Sequence, residues 1–167
     1  MTDRSPNPRS VLREPAVIDI PPNVEDSGLS GVNDQTVLFI TYSRRDSALV
    51  REVVHHVRAA GVAVFWDQDT LGGVDYLEAI ASRIKQATLV AAILTEHSAQ
   101  SRWVKKELVF ARHSGRQRLP MRIGEPSLPD GLLLELITTQ IKDFPGSVDA
   151  KTLSDCILHR LESFSTA

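Results

Sequence analysis

Short apolar runs separated by segments of helical periodicity dominate the chain from Val37 onward. The runs VLFITY (37–42), VAVFW (62–66) and TLVAAIL (88–94) are almost wholly apolar. A strand that faces water on one side alternates apolar with polar residues, whereas a strand covered on both faces does not. The runs therefore predict buried strands of a parallel sheet with helices on both of its faces.

Two weaker runs, RLPMRI (118–123) and TTQIKDF (138–144), bring the number of predicted strands to five. Pro120 is unexpected in the first of them, because proline lacks the amide hydrogen that an inner strand donates to its neighbour. Five strands alternating with helices predict an open α/β sheet rather than a sandwich or a bundle.

The segments between these strands carry apolar residues three and four positions apart, which places them on one face of a helix. Ser101 is suited to cap the third helix and Gly115 to end it, as Gly61 is suited to end the first. The predicted helices are a stripe from Leu49 to Val57, Tyr76 to Ala87, Arg102 to Ser114, and Val148 to Leu161.

Residues 1–36 differ in composition from the rest of the chain. Five of the nine prolines fall here, charges are scattered, and no aromatic residue precedes Phe39. Such a stretch buries too little apolar surface to offset the entropy lost on ordering. We predict a disordered tail over residues 1–36 and one folded domain over residues 37–164.

Charge and cysteine content exclude several classes of protein. The chain has 19 Lys and Arg against 21 Asp and Glu, so its formal charge of −2 gives no general attraction to nucleic acid or an anionic membrane. The single cysteine, Cys156, excludes an internal disulfide framework. The longest strongly apolar run, 89–94, is far shorter than the roughly 20 residues that cross a bilayer. We expect a cytoplasmic protein.

Polar residues follow the first three predicted strands, where an open parallel sheet binds its ligands. Neither the G-x-G-x-x-G nor the P-loop pattern occurs, and the acidic residues of a phosphoacceptor receiver domain are lacking. No Cys and His cluster occurs, and the neighbouring His55 and His56 face different sides of a helix, so no metal site is expected. The segments at the strand ends are YSRRD (42–46), Asp67 with a glycine-bearing loop, and TEHSAQSRW (95–103).

Glu107 occupies an unusual position in the third predicted helix. Its neighbours three and four residues away are Trp103, Val104, Phe110 and Ala111, none of which is charged. A helical glutamate more often faces solvent, because carboxylates are rarely buried. A carboxylate on an apolar stripe therefore suggests a role other than a surface ion pair.

Several motifs together resemble a Toll/interleukin-receptor (TIR) domain over about residues 37–144. They are the first strand ending in Tyr42-Ser43, the second strand ending at Asp67, the glycine loop LGGVDYLEAI, and the W-x-x-x-E of SRWVKKEL. Many bacterial members have Pro-Gly in the loop where this chain has Gly72-Gly73. The resemblance implies a flavodoxin-like five-stranded parallel sheet.

The family divides into adaptors and NAD-cleaving enzymes, and the resemblance implies the enzyme, an NAD glycohydrolase or a cyclase that breaks the same bond. It makes Glu107 the catalytic residue and Gly72 and Gly73 an assembly loop. NAD would be the substrate, with no separate cofactor or metal. Expected partners are other TIR domains or further copies of this chain, and a sensor protein of unknown identity. The substrate-binding candidates are Trp103, Tyr42, Ser43, Arg44, Arg45, Asp67 and Tyr76.

The chemistry of nicotinamide release fits one carboxylate. Cleavage of an N-glycosidic bond passes through an oxocarbenium-like state, and pyridinium nicotinamide leaves as a neutral molecule that needs no proton. One carboxylate in a partly apolar setting can then stabilise the sugar cation. Arg44 and Arg45 are suited to the diphosphate and Tyr76 to stacking on a base.

Each candidate has an ordinary structural explanation as well. Trp103 can be a core aromatic that packs its helix on the sheet. Arg44 and Arg45 can belong to a solvated loop, and Asp67 can cap a turn. At the level of the whole protein, the alternative is a non-catalytic TIR adaptor that acts through assembly.

Overall fold

The computed structural model describes residues 36–66 and 74–166 of the 167-residue chain. A short 3-10 turn, Arg44–Asp46, follows the first strand. The strands are β1 (Val37–Thr41), β2 (Ala63–Trp66), β3 (Leu89–Leu94), β4 (Gln117–Ile123) and β5 (Lys142–Phe144). The helices are α1 (Ser47–Ala59), α2 (Val74–Gln86), α3 (Glu96–Ala99), α4 (Arg102–His113), α5 (Asp130–Leu136) and α6 (Ala150–Ser165).

Within the described residues the strands form one sheet in the order β2-β1-β3-β4-β5, with every neighbouring pair parallel. The strand order reverses between β1 and β3, because the chain first moves outward to β2 and then returns past β1. This order is that of flavodoxin-like folds, whose ligands bind at the reversal. The predicted fold class is confirmed.

Helices cover both faces of the sheet, and the alternation of side chains along β1 separates the two layers. Leu38 and Ile40 pack in the core beneath α1 and α6. Phe39 packs on the other face, beneath α2 and α4. The helix α5 continues this second layer through Leu132 and Leu136, which pack with α4 and the end of β3.

The ends of α4 follow the signals in its sequence. The Ser101 side chain accepts a hydrogen bond from the amide of Val104, as an N-cap residue should. Gly115 has φ +68°, a left-handed conformation that glycine adopts without the steric cost of a β-carbon. These two residues fix the length of the helix that carries Glu107.

Two helices and the start of β5 were not predicted correctly. The four-residue α3 is too short to show periodicity, and α5 has leucines on its exposed side as well as its buried side, which obscures its pattern. The predicted strand over residues 138–144 begins only at Lys142, since the end of α5 leads into residues 138–140. The last helix begins at Ala150 rather than Val148, because the Asp149 side chain caps it.

Pro120 is compatible with its strand because of the register. It lies opposite Ala92 of β3, while the pairing of β4 with β5 begins one residue later at Met121.

No helix in the described ranges combines the length and apolar character needed to cross a membrane. Of the tail predicted over residues 1–36, only Thr36 lies within the described residues.

Candidate active site

Glu107 lies on the buried side of α4, with only 6% of its surface exposed. Its Oε2 accepts a hydrogen bond from the hydroxyl of Thr41, which is itself 1% exposed. Thr41 follows Phe39 by two residues in β1, so both side chains point toward the layer that contains α4. The carboxylate is therefore held against the sheet and does not extend into solvent.

The position of this contact in the fold is that of a ligand site. Thr41 is the last residue of β1 and lies opposite Ala92 of β3. The two strands flank the point where strand order reverses, and the hydrogen bond places Glu107 at their carboxyl ends. In open α/β folds this is where ligands bind.

A second buried glutamate has a different environment. Glu135 of α5 is 7% exposed and forms ion pairs with Arg118 at 2.7 Å and with Arg112 at 2.9 Å. Two arginines thus compensate its charge, and ion pairing accounts for its burial. At Glu107 the Thr41 hydroxyl donates a hydrogen bond to the carboxylate.

The rings of Trp103 and Tyr76 stack on each other beside Glu107. Their centroids are 5.8 Å apart and their planes differ by 30°. Trp103 lies one helical turn before Glu107 on α4, and Tyr76 comes from the first turn of α2. Both rings are half-buried and pack on the core of this face, so Trp103 serves the core and still presents part of its surface. The Nζ of Lys106 lies 5.9 Å from the centre of the Trp103 ring.

The loop after β1 presents two exposed arginines, Arg44 and Arg45. Ser43 positions this turn, since its side chain accepts a hydrogen bond of 3.4 Å from the amide of Arg45. The hydroxyl of Thr95, just after β3, donates a 2.6 Å hydrogen bond to Asp46. The loops that follow β1 and β3 are therefore joined at the same edge of the sheet.

Tyr42 is directed away from this group. Its ring lies 6.2 Å from that of Trp66, and both pack on the core beneath α1 and α6. Among the predicted site residues, the structure thus brings Glu107, Trp103 and Tyr76 to one face and places Tyr42 on the other. The remaining candidates Asp67, Gly72 and Gly73 lie outside the described residues.

Sequence reasoning did not single out Thr41 or the contact between Asp46 and Thr95. Thr41 gave a signal, since it is the polar end of an apolar strand and shares the face of Phe39. No sequence pattern indicated the contact between Asp46 and Thr95, because these residues are 49 positions apart in loops of unpredictable geometry. In the parts of the chain that the structure describes, no group of His, Cys, Asp and Glu side chains is arranged to hold a metal ion.

Solved structures share this fold at low sequence identity. The TIR domain of the Toll-related receptor TRR-2 from Hydra magnipapillata is 18% identical with a TM-score of 0.52, over 64% of this chain and 82% of that chain. The heterodimer of the RPS4 and RRS1 TIR domains is 17% identical with a TM-score of 0.55, over 77% of this chain and 96% of that chain. The Clostridium botulinum CMP N-glycosidase BcmB is 12% identical with a TM-score of 0.53, over 73% of this chain and 98% of that chain.

Sequence comparison identifies the family directly. No curated protein sequence matches the chain at a significant level. The family model for the TIR domain matches residues 38–154, which is most of the chain and includes all five strands of the described sheet except Val37. The chain belongs to the TIR domain family.

Proposed function

We propose that the protein is an NAD glycohydrolase that cleaves the bond between nicotinamide and ribose, with Glu107 as its catalytic residue. The observation that carries this assignment is the burial of Glu107 at the carboxyl ends of β1 and β3, where the Thr41 hydroxyl donates a hydrogen bond to it. Glutamate is rarely buried, and this one lies at the strand reversal, where open α/β folds bind their ligands.

Cleavage of the bond between nicotinamide and ribose requires few catalytic groups beyond this carboxylate. Positive charge develops on the ribose as the pyridinium nitrogen takes the bonding electrons, and nicotinamide leaves uncharged. A fixed negative charge close to the ribose stabilises that state, more strongly where water is excluded. Thr41 would hold the carboxylate in one orientation through its hydrogen bond.

The aromatic pair and the loop after β1 are suited to the rest of the substrate. The half-buried stack of Trp103 and Tyr76 offers a flat apolar surface next to Glu107, on which a nicotinamide or adenine ring can lie. Exposed Arg44 and Arg45 follow the same strand as Thr41 and are suited to the diphosphate. Asp67 remains a candidate for a ribose hydroxyl.

Structural relatives support both this activity and its alternative. BcmB is described as a CMP N-glycosidase, so a protein of this fold is assigned the breaking of an N-glycosidic bond. At 12% identity this likeness concerns the fold, and the activity of this chain rests on Glu107. The RPS4 and RRS1 domains form a heterodimer, which favours association between TIR domains. A non-catalytic assembly module is therefore the second candidate.

Assembly and catalysis are compatible, and we expect activity to depend on association. The specific activity should rise with protein concentration, and a charge at Gly73 in the expected assembly loop should reduce that rise. An NAD-cleaving protein of this kind would act as a signalling or defence effector by releasing a nucleotide product or by depleting NAD.

The decisive experiment compares two buried glutamates. Glu107→Gln removes the charge at the candidate site with little change in volume, and Glu135→Gln is the matched control at a structural ion pair. Released nicotinamide is measured for the wild type and both variants at several protein concentrations, with folding checked by circular dichroism. We expect Glu107→Gln to lose at least about a hundredfold in rate, about 3 kcal/mol of barrier, and Glu135→Gln to retain its rate.

Retention of more than about a tenth of the rate by Glu107→Gln, a barrier change below about 1.4 kcal/mol, would show that the catalytic assignment is wrong. If the wild type releases no nicotinamide even when concentrated, the assembly module takes the place of the enzyme.

A further inference from the structure

A cleft of about 550 Å³ lies at the amino-terminal end of β4, at the opposite edge of the sheet from Thr41. Its origin is the register of the last two strands, which begins at Met121 and Lys142. Among the described residues, positions 117–120 of β4 have no strand beside them on that side. The cleft opens there, with residues 138–140 and the second half of α6 as its walls.

Among the described residues, the lining of the cleft is basic and includes no acidic side chain. Arg116, Arg118, Lys142 and Arg160 all line it. The charge of Arg118 is accounted for by Glu135, but no ion pair in the described structure includes any of the other three. The Nε of Arg116 donates a 3.2 Å hydrogen bond to the Ser114 carbonyl, and the Arg160 guanidinium lies 5.4 Å from the centre of the Phe164 ring. Three cations, supplied by the residue before β4, the start of β5 and α6, thus line one cleft without an acidic partner among the described residues.

Arg160 has a buried donor that no described protein group satisfies. Its Nε atom is buried and finds no hydrogen-bond acceptor among the residues that the structure describes. Buried polar groups in native proteins nearly always have a partner, and an unsatisfied donor is costly. An anion in the cleft would give the Arg160 guanidinium an acceptor.

We propose that this cleft binds a nucleotide that carries at least two phosphates. The phosphates would lie among Arg116, Lys142 and Arg160, which come from three separate segments of the chain and line the same cleft. A single orthophosphate would leave most of the 550 Å³ empty. The remaining lining includes the amides of Gln117 and Gln140 and the hydroxyl of Ser163, which are suited to a sugar or a base edge.

A compact anion fits this surface better than a nucleic acid does. The chain as a whole has a formal charge of −2, so an extended polyanion gains no general attraction outside the cleft. The three cations line one cleft. The site is independent of the NAD chemistry proposed for Glu107, since it lies at the other edge of the sheet.

ADP is the probe, titrated into the full chain by isothermal calorimetry, with pyrophosphate and adenosine as separate arms. Arg116→Glu and Arg160→Gln change the cleft, and Arg51→Glu is the matched control, because Arg51 is an exposed arginine on α1 that does not line it. We expect ADP to bind the wild type, each cleft variant to lose at least about tenfold in affinity, and Arg51→Glu to stay within about twofold. Circular dichroism establishes that each variant is folded.

Cys156 reports where the ligand is bound, because the only cysteine of the chain lines the cleft. Bound ADP should cover its thiol and slow alkylation by iodoacetamide. ADP held instead at the Glu107 site would leave this rate unchanged, so the outcome does not depend on whether Glu107 is catalytic.

The site would be established if ADP binding requires Arg116 and Arg160 and protects Cys156. If pyrophosphate binds the same cleft more weakly than ADP, the difference in affinity is due to the nucleoside. Three results would overturn it. They are the absence of binding at millimolar ADP, equal binding of adenosine, or displacement of ADP by a short RNA that binds the cleft more tightly.

Discussion

Replacing Thr41 by valine should destabilise the protein through Glu107. Valine matches threonine in shape and suits a strand equally well, so the change removes one hydroxyl and little else. Thr41 is 1% exposed, which leaves no easy route for water to replace the lost donor. Because hydrogen bonds to charged groups contribute about 1.5–3 kcal/mol, we expect a loss of about 2 kcal/mol in the free energy of unfolding.

The measurement is urea denaturation followed by circular dichroism, in a double-mutant cycle. Glu107→Met supplies the second change, since methionine has a similar volume and no carboxylate to accept the hydrogen bond. Thr41→Val should cost about 2 kcal/mol in the wild type and less than about 0.5 kcal/mol in the Glu107→Met background. An equal cost in both backgrounds would refute the reasoning, because the hydroxyl would then act independently of Glu107.

Two further changes test local features of the fold. A hydrogen bond from the backbone amide of Thr152 lowers the pKa of Asp149 below its ordinary value of 3.8. The charged Asp149 cap therefore stabilises the protein above pH 3.8, and this stabilisation is lost as the pH falls through the lower pKa of the folded state. Asp149→Ala should therefore lower the melting temperature at pH 7, and thermal denaturation should show the difference from the wild type shrinking below pH 3.8; a difference that stays constant would contradict the capping role. Gly131→Ala in α5 places a methyl group against the Nζ of Lys105, the movable end of a long side chain, so the gain in helix propensity should prevail. Urea denaturation should show an increase of about 0.5 kcal/mol, and a loss would mean that Lys105 cannot move aside.

The strands that the sequence predicts best are those buried on both faces. The run that forms β3 is buried at every residue, so an unbroken apolar composition is a sufficient signal. The run at 138–144 has only Ile141 and Phe144 as apolar residues, and its first residues follow α5 and leave β4 uncovered. No local pattern shows that a strand starts four residues late, because the start depends on how the preceding helix packs.

The candidate site was predictable where it depends on one helix and unpredictable where it depends on contacts between elements. Apolar neighbours on α4 predicted that Glu107 would lie on a buried face, and it does. That its partner is Thr41, 66 residues earlier, follows from the register of β1 against the helix layer and not from spacing. Tyr42 was grouped with Glu107 because it is adjacent to the strand end, but the alternation of side chains sends it to the opposite face.

The sign of a stability change tests whether Glu107, unlike Glu135, is a functional rather than a structural carboxylate. Glu135→Gln removes the charge that two arginines share, and it should lower the free energy of unfolding by about 2 kcal/mol. At Glu107 the amide can still accept the Thr41 hydrogen bond and avoids much of the desolvation cost of the carboxylate, so Glu107→Gln should leave stability unchanged or raise it. If both variants were destabilised equally, Glu107 would be a structural residue like Glu135. A protein that is more stable without a charge, and inactive without it, keeps that charge for its chemistry.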